Sequence, residues 1–452
     1  MTDPVRLTVF RILKQILSDR AYANELSRDL LDDARFDARD RAFASAMLYG
    51  TLSYLPNIDY QLNKVSDRDI DAYDLDVATV LRMGAWQIKF SYGVPAHAAV
   101  NESVDLIKAI GKTSAAGLVN AVLRKLSRAD ISFPNRYRGP ELGLSTEIFG
   151  MFKKWFGDAE AEALAKALLE PTEGITIRAR SRDYIDTFRQ LGPKQATIRP
   201  GDYFEHAFTV IGAGHAPDTW PGFAEGAFFV QDEASMAVGH LMRHFAERVQ
   251  RGGVIRMLDA CAGVGGKSID RALYGENLLI EATEPHRERF ELLRDNTERM
   301  KTDTICPIHT DFFRFEGKDY DQILLDVPCS GLGVLANKPE IKLGLSYDAL
   351  RRFPAEQLKF LEHAAAKVKS GGQLWYSTCT LNPDENENLV IRFMEDHPEF
   401  TPIRLAEAVP ETLAEADPVI RETAENGYLT LYPHRVKTDG FFVAGMEKHG
   451  TN

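Results

Sequence analysis

The apolar side chains of the first 130 residues recur every three or four positions, the spacing that places them on one face of a helix. Such stripes run over residues 5–17, 100–107 and 119–126. This spacing predicts a small all-helical domain over residues 1–130. Residues 128–140 are rich in proline and glycine and are predicted to form a linker.

The pattern changes twice further along the chain. Residues 140–225 mix a helical stretch with the extended run Ile175–Arg178, which predicts a small α+β segment leading into the last domain, residues 226–452. There, short apolar runs alternate with helical stretches, which predicts an α/β fold with a doubly wound, mostly parallel sheet. Residues 429–432 and 440–446 should add two antiparallel strands at one edge.

The bounds of these predicted elements follow from the apolar runs. The predicted strands are Val254–Asp259, Leu278–Glu284, Ile305–Asp311, Tyr320–Asp326 and Gln373–Ser377, and the predicted helices are His286–Met300, Tyr347–Lys369 and Asp384–His397.

Composition narrows the class of protein. A chain of 452 residues with 44% hydrophobic and 27% charged residues is expected to form two or three globular domains. No stretch has the apolar length of a membrane span, and the start lacks a signal-type apolar core, so we expect a cytoplasmic protein with no membrane partner. The four cysteines include no CxxC pair, which favours reduced thiols and no metal site.

The net charge of −12 argues against a protein that grips a polyanion over its whole surface. Residues 124–154 nevertheless hold seven basic side chains against three acidic ones. This stretch suits contacts to phosphates, and so do Lys338 and Lys342. A solvated helix end and linker would have the same composition.

Cys329 and Cys379 each follow an apolar run that predicts a buried strand. Both sulfurs should therefore emerge at the carboxyl ends of parallel strands, the edge of an open α/β sheet where ligands bind. Turn and hydroxyl residues flank both cysteines, which favours a thiolate active site. The alternative is that each cysteine is a small buried hydrophobic residue.

A glycine-rich loop, Asp259–Ser268, follows the first predicted strand and leads into a helix. Its glycines allow a tight turn and close approach of a ligand to a helix N-terminus, although a plain tight turn would look the same. Glu284 ends the next strand, where a carboxylate suits the hydroxyls of a ribose, and Asp311 could accept from an adenine amino group. An adenosine ligand without a pyrophosphate follows, which favours S-adenosylmethionine. The candidate cofactor-binding residues are Cys261, Ala262, Gly263, Val264, Gly265, Gly266, Lys267, Glu284, Arg289, Asp311 and Asp326.

Together these motifs resemble the signatures of the RNA cytosine-5 methyltransferases of the NOL/NOP/Sun family. The resemblance covers about Gly226 to Lys448. It rests on the segments Gln231–Ser235, Asp259–Ser268, Asp326–Val334, Pro339–Lys342, Tyr376–Glu387, Leu431–His434 and Asp439–Phe442.

The N-terminal part is similar to a helical domain that resembles the antitermination factor NusB. Asp40–Leu52, Pro95–Glu102 and Val119–Arg124 carry this likeness. The arrangement is typical of the RsmB type of bacterial enzyme, which methylates 16S ribosomal RNA. The resemblance therefore implies an RNA partner, most specifically 16S rRNA, with transfer RNA as the alternative substrate. We expect a monomer.

The resemblance also assigns roles to side chains. Cys379 is implied to be the nucleophile that attacks carbon 6 of the cytosine, and Cys329 to assist release of the methylated base. The residues alone leave the two thiols unranked, because DNA cytosine-5 methyltransferases attack from the Pro-Cys position, here Pro328-Cys329. A noncatalytic RNA-binding or assembly protein is the alternative of another class.

Two further side chains complete the predicted catalytic set. Asp326 is expected to reach the cytosine ring, unless it only caps its own loop. Lys267 is expected to lower the pKa of a nearby thiol or to fix Asp326, unless it is a solvated lysine. Asn382 is predicted to cap a helix starting at Pro383, which would fix the loop of Cys379.

The sequence departs from the family at two positions of the cofactor site. Gly263-Val264 stands where the family usually has Ala-Pro, and Glu284 where it has Asp. A looser loop and a longer carboxylate arm would weaken cofactor affinity, while the side-chain chemistry is retained.

Overall fold

The computed structural model describes residues 3–19, 23–26, 36–171, 173–214, 216–249 and 253–450. The chain forms two compact units. Unit 1 comprises residues 1–171 and 335–347, and unit 2 comprises residues 172–334 and 348–452.

Unit 1 is helical, as the apolar spacing predicts. Its α-helices are α1 (Pro4–Asp19), α2 (Ala23–Leu26), α3 (Ala38–Ser53), α4 (Leu55–Val65), α5 (Leu75–Lys89), α6 (Ala96–Ala109), α7 (Ala116–Arg128), α8 (Arg138–Glu141), α9 (Thr146–Phe156) and α10 (Asp158–Ala167). The stripes of apolar residues on α1, α6 and α7 enter one core. Arg82 on α5 is buried there and pairs with Asp59 at 2.7 Å, which satisfies its charge.

The helices α8, α9 and α10 lie in unit 1, although the sequence analysis assigned residues 140–225 to one segment. Part of the predicted linker is helical, because Asn57 on α4 donates to the carbonyl of Glu141 at 3.0 Å and so holds α8. Phe149 and Phe152 of α9 are buried. Residues 173–225 of the same segment lie in unit 2.

A second piece of unit 1, residues 335–347, comes from the chain after the first cysteine motif. It contains the 3-10 helix Pro339–Gly344. The Lys342 ammonium donates to the carbonyls of Ser53 (2.6 Å) and Gly143 (2.9 Å). Burial lowers the pKa of Lys342 to about 7, against the opposing effect of Glu340. The sequence analysis proposed that Lys342 contacts a phosphate. In the structure its ammonium is instead bonded to two carbonyls of unit 1.

Unit 2 opens with a four-stranded antiparallel sheet. Its strands are β1 (Ile175–Ala179), β2 (Thr197–Pro200), β3 (Ala207–Ile211) and β4 (Phe228–Val230), in the order β2-β3-β1-β4, with α11 (Tyr184–Leu191) between β1 and β2. Phe208, Phe228 and Trp220 pack with α11 in a separate core. The predicted α+β character of this segment is confirmed.

The large sheet of unit 2 has the doubly wound, mostly parallel architecture that the alternation predicts. Its strands are β5 (Ile255–Asp259), β6 (Leu278–Thr283), β7 (Ile305–Ile308), β8 (Tyr320–Asp326), β9 (Val368–Thr378), β10 (Phe400–Pro402), β11 (Tyr428–Leu431) and β12 (Phe441–Lys448). The order is β10-β12-β9-β8-β5-β6-β7, and β11 pairs with β12. Strands β5 to β9 pair in parallel.

Helices pack on both faces of this sheet. The α-helices that follow β4 in the chain are α12 (Glu233–His244), α13 (Gly266–Leu273), α14 (Arg287–Arg299), α15 (Tyr347–Leu350, whose first residue belongs to unit 1), α16 (Phe353–Ala365), α17 (Glu387–Asp396), α18 (Glu411–Ala416), α19 (Val419–Glu425) and α20 (Pro433–Val436). Alternate side chains of one strand enter different cores. Leu324 and Trp375 face one core, and Leu325 and Tyr376 face the other.

Several predicted bounds are wrong. The predicted helix 347–369 is two helices, α15 and α16. It ends before residue 369, because Val368 already pairs with Tyr320 in the sheet. β7 ends at Ile308 rather than Asp311, since the chain turns there with Thr310 N–H donating to the Ile308 carbonyl at 3.0 Å. β12 lies inside the sheet between β9 and β10, not at its edge.

Among the described residues, no helix is both long enough and apolar enough to cross a membrane.

Candidate active site

The two cysteines that follow β8 and β9 meet at one point. The strands are parallel neighbours, and Asp326 of β8 is paired in register with Ser377 of β9. Each cysteine comes a few residues after this pair, and the two sulfurs lie 3.4 Å apart. Both cysteines are half-buried residues with free thiols.

Lys267 and Asp326 form an ion pair beside the thiols. Lys267, the second residue of α13, donates from Nζ to Asp326 Oδ2 at 2.5 Å. Ser377 donates from Oγ to the other carboxylate oxygen at 2.8 Å. The side chain of Lys267 is only 13% exposed and that of Asp326 31% exposed. Lys267 is therefore not a solvated lysine. The carboxylate of Asp326 bonds to Lys267 and Ser377 rather than capping its own loop, and part of its surface remains exposed to a ligand.

Charged side chains lie near both thiols. Cys379 lies within electrostatic range of Lys267, and a cation at such a position favours a thiolate. The pKa of Cys329 lies well above its usual value because of its hydrogen bond with Cys379, its burial and the charge of Glu385. Burial lowers the pKa of Lys267, but Asp326 outweighs this and raises it overall.

The glycine-rich loop follows β5 and leads into α13, as predicted. Gly263 (φ 57°) and Gly265 (φ 92°) both have left-handed backbone conformations, which an L side chain rarely adopts. A Cβ on Gly263 would meet no atom within 4 Å, so the loop leaves open space there. Asp259 is buried and accepts from Ser268 Oγ at 2.6 Å, and it therefore holds the loop from inside.

The ends of β5, β6 and β7 are joined by backbone hydrogen bonds. Ala262 N–H donates to the Thr283 carbonyl at 3.0 Å, and Glu284 N–H donates to the Ile308 carbonyl at 3.1 Å. These bonds place Glu284 next to the glycine loop. Asp311 follows β7 and accepts from Phe313 N–H at 2.8 Å through one oxygen.

The thiol of Cys261 lies among the carboxylates of this edge. Burial first, then the charges of four carboxylates, raise its pKa well above the usual value; these are Asp259, Asp326, Glu284 and Asp311. The acidic side chains therefore converge on one place, which suits a ligand that carries positive charge. Of the other candidate residues, Ala262 is buried, Gly266 begins α13, and Val264 and Arg289 are exposed.

Glu385 is the feature that the sequence analysis missed. The predicted helix starting at Pro383 would place Glu385 in its first turn, but the side chain is fully buried and bonds to both cysteine loops. α17 begins at Glu387, and Asn386 precedes it as the N-cap residue. Asn382 is not a helix cap: it accepts from Asp384 N–H at 3.1 Å in a turn and donates to Glu385. The motif showed the glutamate but gave no sign of where it points.

The basic stretch 124–154 is partly paired inside unit 1. Arg138 bonds to Glu141 (2.6 Å) and Glu162, and Lys153 lies 2.9 Å from Asp158. Arg136 lies over the ring of Tyr137, 4.9 Å from its centroid.

Two family models match this chain. Residues 250–447 match the family described as 16S rRNA methyltransferase RsmB/F, and residues 3–128 match the NusB family.

Relatives match almost the whole chain. A probable ribosomal RNA small subunit methyltransferase B of Bacillus subtilis is 28% identical over 99% of both chains. A protein of the same name from Synechocystis is 29% identical over 98% of this chain and 99% of its own. The Pseudomonas putida ribosomal RNA small subunit methyltransferase B is 29% identical over 89% of this chain and 91% of its own.

Solved structures share the fold. The crystal structure of PH0851 has a TM-score of 0.80 at 22% identity, covering 99% of this chain and 100% of its own. A methyltransferase homologue from Pyrococcus horikoshii has a TM-score of 0.54 at 23% identity, covering 69% of this chain and 97% of its own.

Proposed function

We propose that this chain, whose residues 250–447 match the RsmB/F family of 16S rRNA methyltransferases, methylates carbon 5 of a cytosine in 16S ribosomal RNA through a covalent cysteine–cytosine intermediate. The observation that carries this proposal is the pair of thiols 3.4 Å apart beside the Lys267–Asp326 ion pair. RNA binding alone requires neither feature.

S-adenosylmethionine is the cofactor, and the residues present fit it. When bound, it supplies an electrophilic methyl group on a sulfonium. Its sulfonium and ammonium are cations, which suit the carboxylates that converge at the ends of β5, β6 and β7. Glu284 and Asp311 provide acceptors for ribose and adenine groups, and the left-handed glycines open the loop for close approach.

Cys379 is the proposed nucleophile. Carbon 5 of an intact cytosine is a poor nucleophile, and addition of a thiolate to carbon 6 breaks the aromaticity and makes carbon 5 enamine-like. Lys267 lies within electrostatic range of Cys379 and favours its thiolate. Asp326, partly exposed beside it, would accept from or share a proton with the cytosine ring during addition.

Cys329 is proposed to complete the reaction. After methyl transfer, carbon 5 holds both the methyl group and a proton. A base removes that proton, and the electrons of the bond between carbon 5 and the proton form the double bond between carbons 5 and 6. The bond between carbon 6 and Cys379 Sγ then breaks with its electrons on the sulfur, which leaves as a thiolate. Cys329, 3.4 Å from Cys379, would assist this release.

The choice of 16S rRNA rests on the names of the relatives and on the NusB-family match. We propose that the protein acts in the cytoplasm as a monomer without a metal ion. An enzyme of this chemistry needs an unstacked base, and a base in an RNA loop or in a partly assembled particle is the easiest to unstack.

The test is methyl transfer from labelled S-adenosylmethionine to unmodified 16S rRNA, 16S rRNA in small-subunit particles, and total transfer RNA, followed by mapping of the methylated positions. We expect 5-methylcytosine in 16S rRNA. Label confined to transfer RNA would overturn the substrate, and label on another atom would overturn the chemistry. Calorimetric absence of S-adenosylmethionine binding to folded protein would favour a noncatalytic role.

A further inference from the structure

Glu385 lies between the two cysteine loops with no exposed surface. Its Oε2 accepts from the backbone N–H of Ser330 and from the side-chain amide of Gln357, both at 2.9 Å. Its Oε1 accepts from the side-chain amide of Asn382 at 2.9 Å. All three partners are donors, which suits an ionised carboxylate.

These contacts hold the loop of Cys329 from both sides. Ser330 directly follows Cys329, and Pro328 directly precedes it. Gln357 also donates to the carbonyl of Pro328, at 3.1 Å. The third partner, Asn382, lies in the turn after Cys379. One carboxylate therefore ties residues 328 and 330 to the chain that carries the other thiol.

We propose that Glu385 is a positioning residue for the release step: it holds the sulfur of Cys329 beside that of Cys379 through Ser330 and Gln357. This inference rests on the proposed function, in which Cys329 assists release. Of the three donors to Glu385, Ser330 lies on the Cys329 loop and Gln357 bonds to that loop. The hydroxyls of Ser330 and Thr380 lie 2.6 Å apart and form a second link between the two cysteine loops. Loss of the carboxylate should therefore displace Cys329 more than Cys379.

Charge also connects Glu385 with the thiol proposed for release. The charge of Glu385 is one of the causes that raise the pKa of Cys329. Lys267 lies within electrostatic range of Cys379, the thiol proposed for attack.

The test uses Glu385→Gln in the full chain. Glutamine has nearly the same size as glutamate, but its NH₂ group cannot accept a hydrogen bond. At least one of the three donors to residue 385 therefore loses its acceptor, while the packing volume is kept. Glu233→Gln is the matched control, because Glu233 is another buried carboxylate of unit 2 and accepts from the N–H groups of Asp202 (2.8 Å), Tyr203 (2.8 Å) and Phe204 (3.0 Å). Thermal unfolding, first-turnover methylation and covalent protein–RNA complex are measured for both, with Cys329→Ala as reference.

We expect Glu385→Gln to retain first-turnover methylation while its release rate falls about tenfold, so that the covalent complex accumulates as in Cys329→Ala. Glu233→Gln should accumulate none, even at equal loss of thermal stability. Gln357→Leu, which removes the donor to Pro328, should accumulate the complex as well and serves if Glu385→Gln does not fold.

The outcomes separate the two proposals. If Cys329→Ala accumulates the complex but Glu385→Gln and Gln357→Leu do not, the positioning role is wrong and the proposed function stands. If Cys329→Ala accumulates no complex, the assignment of the thiols fails first. An equal fall of attack and release in Glu385→Gln and Glu233→Gln would show that Glu385 only stabilises the fold.

Discussion

The sulfurs of Cys329 and Cys379 lie 3.4 Å apart although 50 residues separate them in the chain. They meet because β8 and β9 are parallel neighbours whose carboxyl ends share one edge of the sheet. At this distance both sulfurs can reach one pyrimidine ring. The arrangement therefore allows one thiol to bond to the base while the other acts on the same base.

Substitution of each thiol should give a different product. Cys379→Ala should abolish methylation and form no covalent complex, because the attacking sulfur is gone. Cys329→Ala should still attack and methylate once, but release poorly, leaving a protein–RNA complex that survives denaturing electrophoresis. Cys306→Ser, an exposed cysteine elsewhere in unit 2, is the control and should behave as the unmodified chain. The reverse pattern would exchange the two roles.

The same proximity should make the site sensitive to oxidation. Hydrogen peroxide oxidises two thiols to a disulfide, with one peroxide consumed and two water molecules formed, and the sulfurs need to approach only to about 2.05 Å. We expect peroxide to abolish methylation and dithiothreitol to restore it. Mass spectrometry of the oxidised, unreduced protein should find the peptide that contains Cys329 linked to the peptide that contains Cys379. The same linked peptides should be found in Cys306→Ser. Inactivation with these two thiols still reduced would contradict the prediction.

Lys267 should set the pH at which attack begins. If its ammonium favours the thiolate of Cys379, then Lys267→Met needs a higher pH for the same rate of adduct formation, by about one to two pH units. The rate is measured as complex formation in the Cys329→Ala background, where release does not interfere. Lys369→Met is the matched control. Lys369 forms a similar ion pair, in which its Nζ lies 2.7 Å from Asp321 Oδ1, at the other end of β9 from the thiols. An unchanged pH profile in Lys267→Met would remove Lys267 from the attack step.

The sequence predicted the elements of this site better than their contacts. Strand β8 has the predicted bounds, since an apolar run that ends in Asp326 marks a strand covered on both faces. The pairing of Lys267 with Asp326 was one of two readings, because spacing alone does not show that α13 begins next to the end of β8. The direction of the Glu385 side chain depends on Ser330 and Gln357, which are distant in sequence, so no local pattern reveals it.

The helical unit shows a similar limit. The periodic stripes predicted its helices, but not the return of residues 335–347 to unit 1. Lys342 looked like a surface cation because a lysine after a loop is usually solvated. Lys342 is instead held by the carbonyls of Ser53 and Gly143. Both are distant from Lys342 in the sequence, so no local pattern predicts these bonds.

Lys342 should also make the stability of unit 1 depend on pH. Its pKa is about 7 in the folded chain against an ordinary 10.5, so between these values the unfolded state binds more protons than the folded state. The free energy of unfolding should therefore rise as the pH increases from about 7 towards 10. At pH 6, where Lys342 is charged in both states, this contribution is at its least favourable.

Lys342→Met isolates the effect, since other groups titrate in the same range in both proteins. We expect the unfolding free energy of the original chain, minus that of Lys342→Met, to increase with pH over this window when both are measured by urea unfolding. Lys112→Met is the control: Lys112 is an exposed lysine of unit 1 whose pKa is raised by Asp74, so its difference should not increase between pH 7 and 9. A difference that stays constant for Lys342→Met would show that the lysine keeps its ordinary pKa despite its burial.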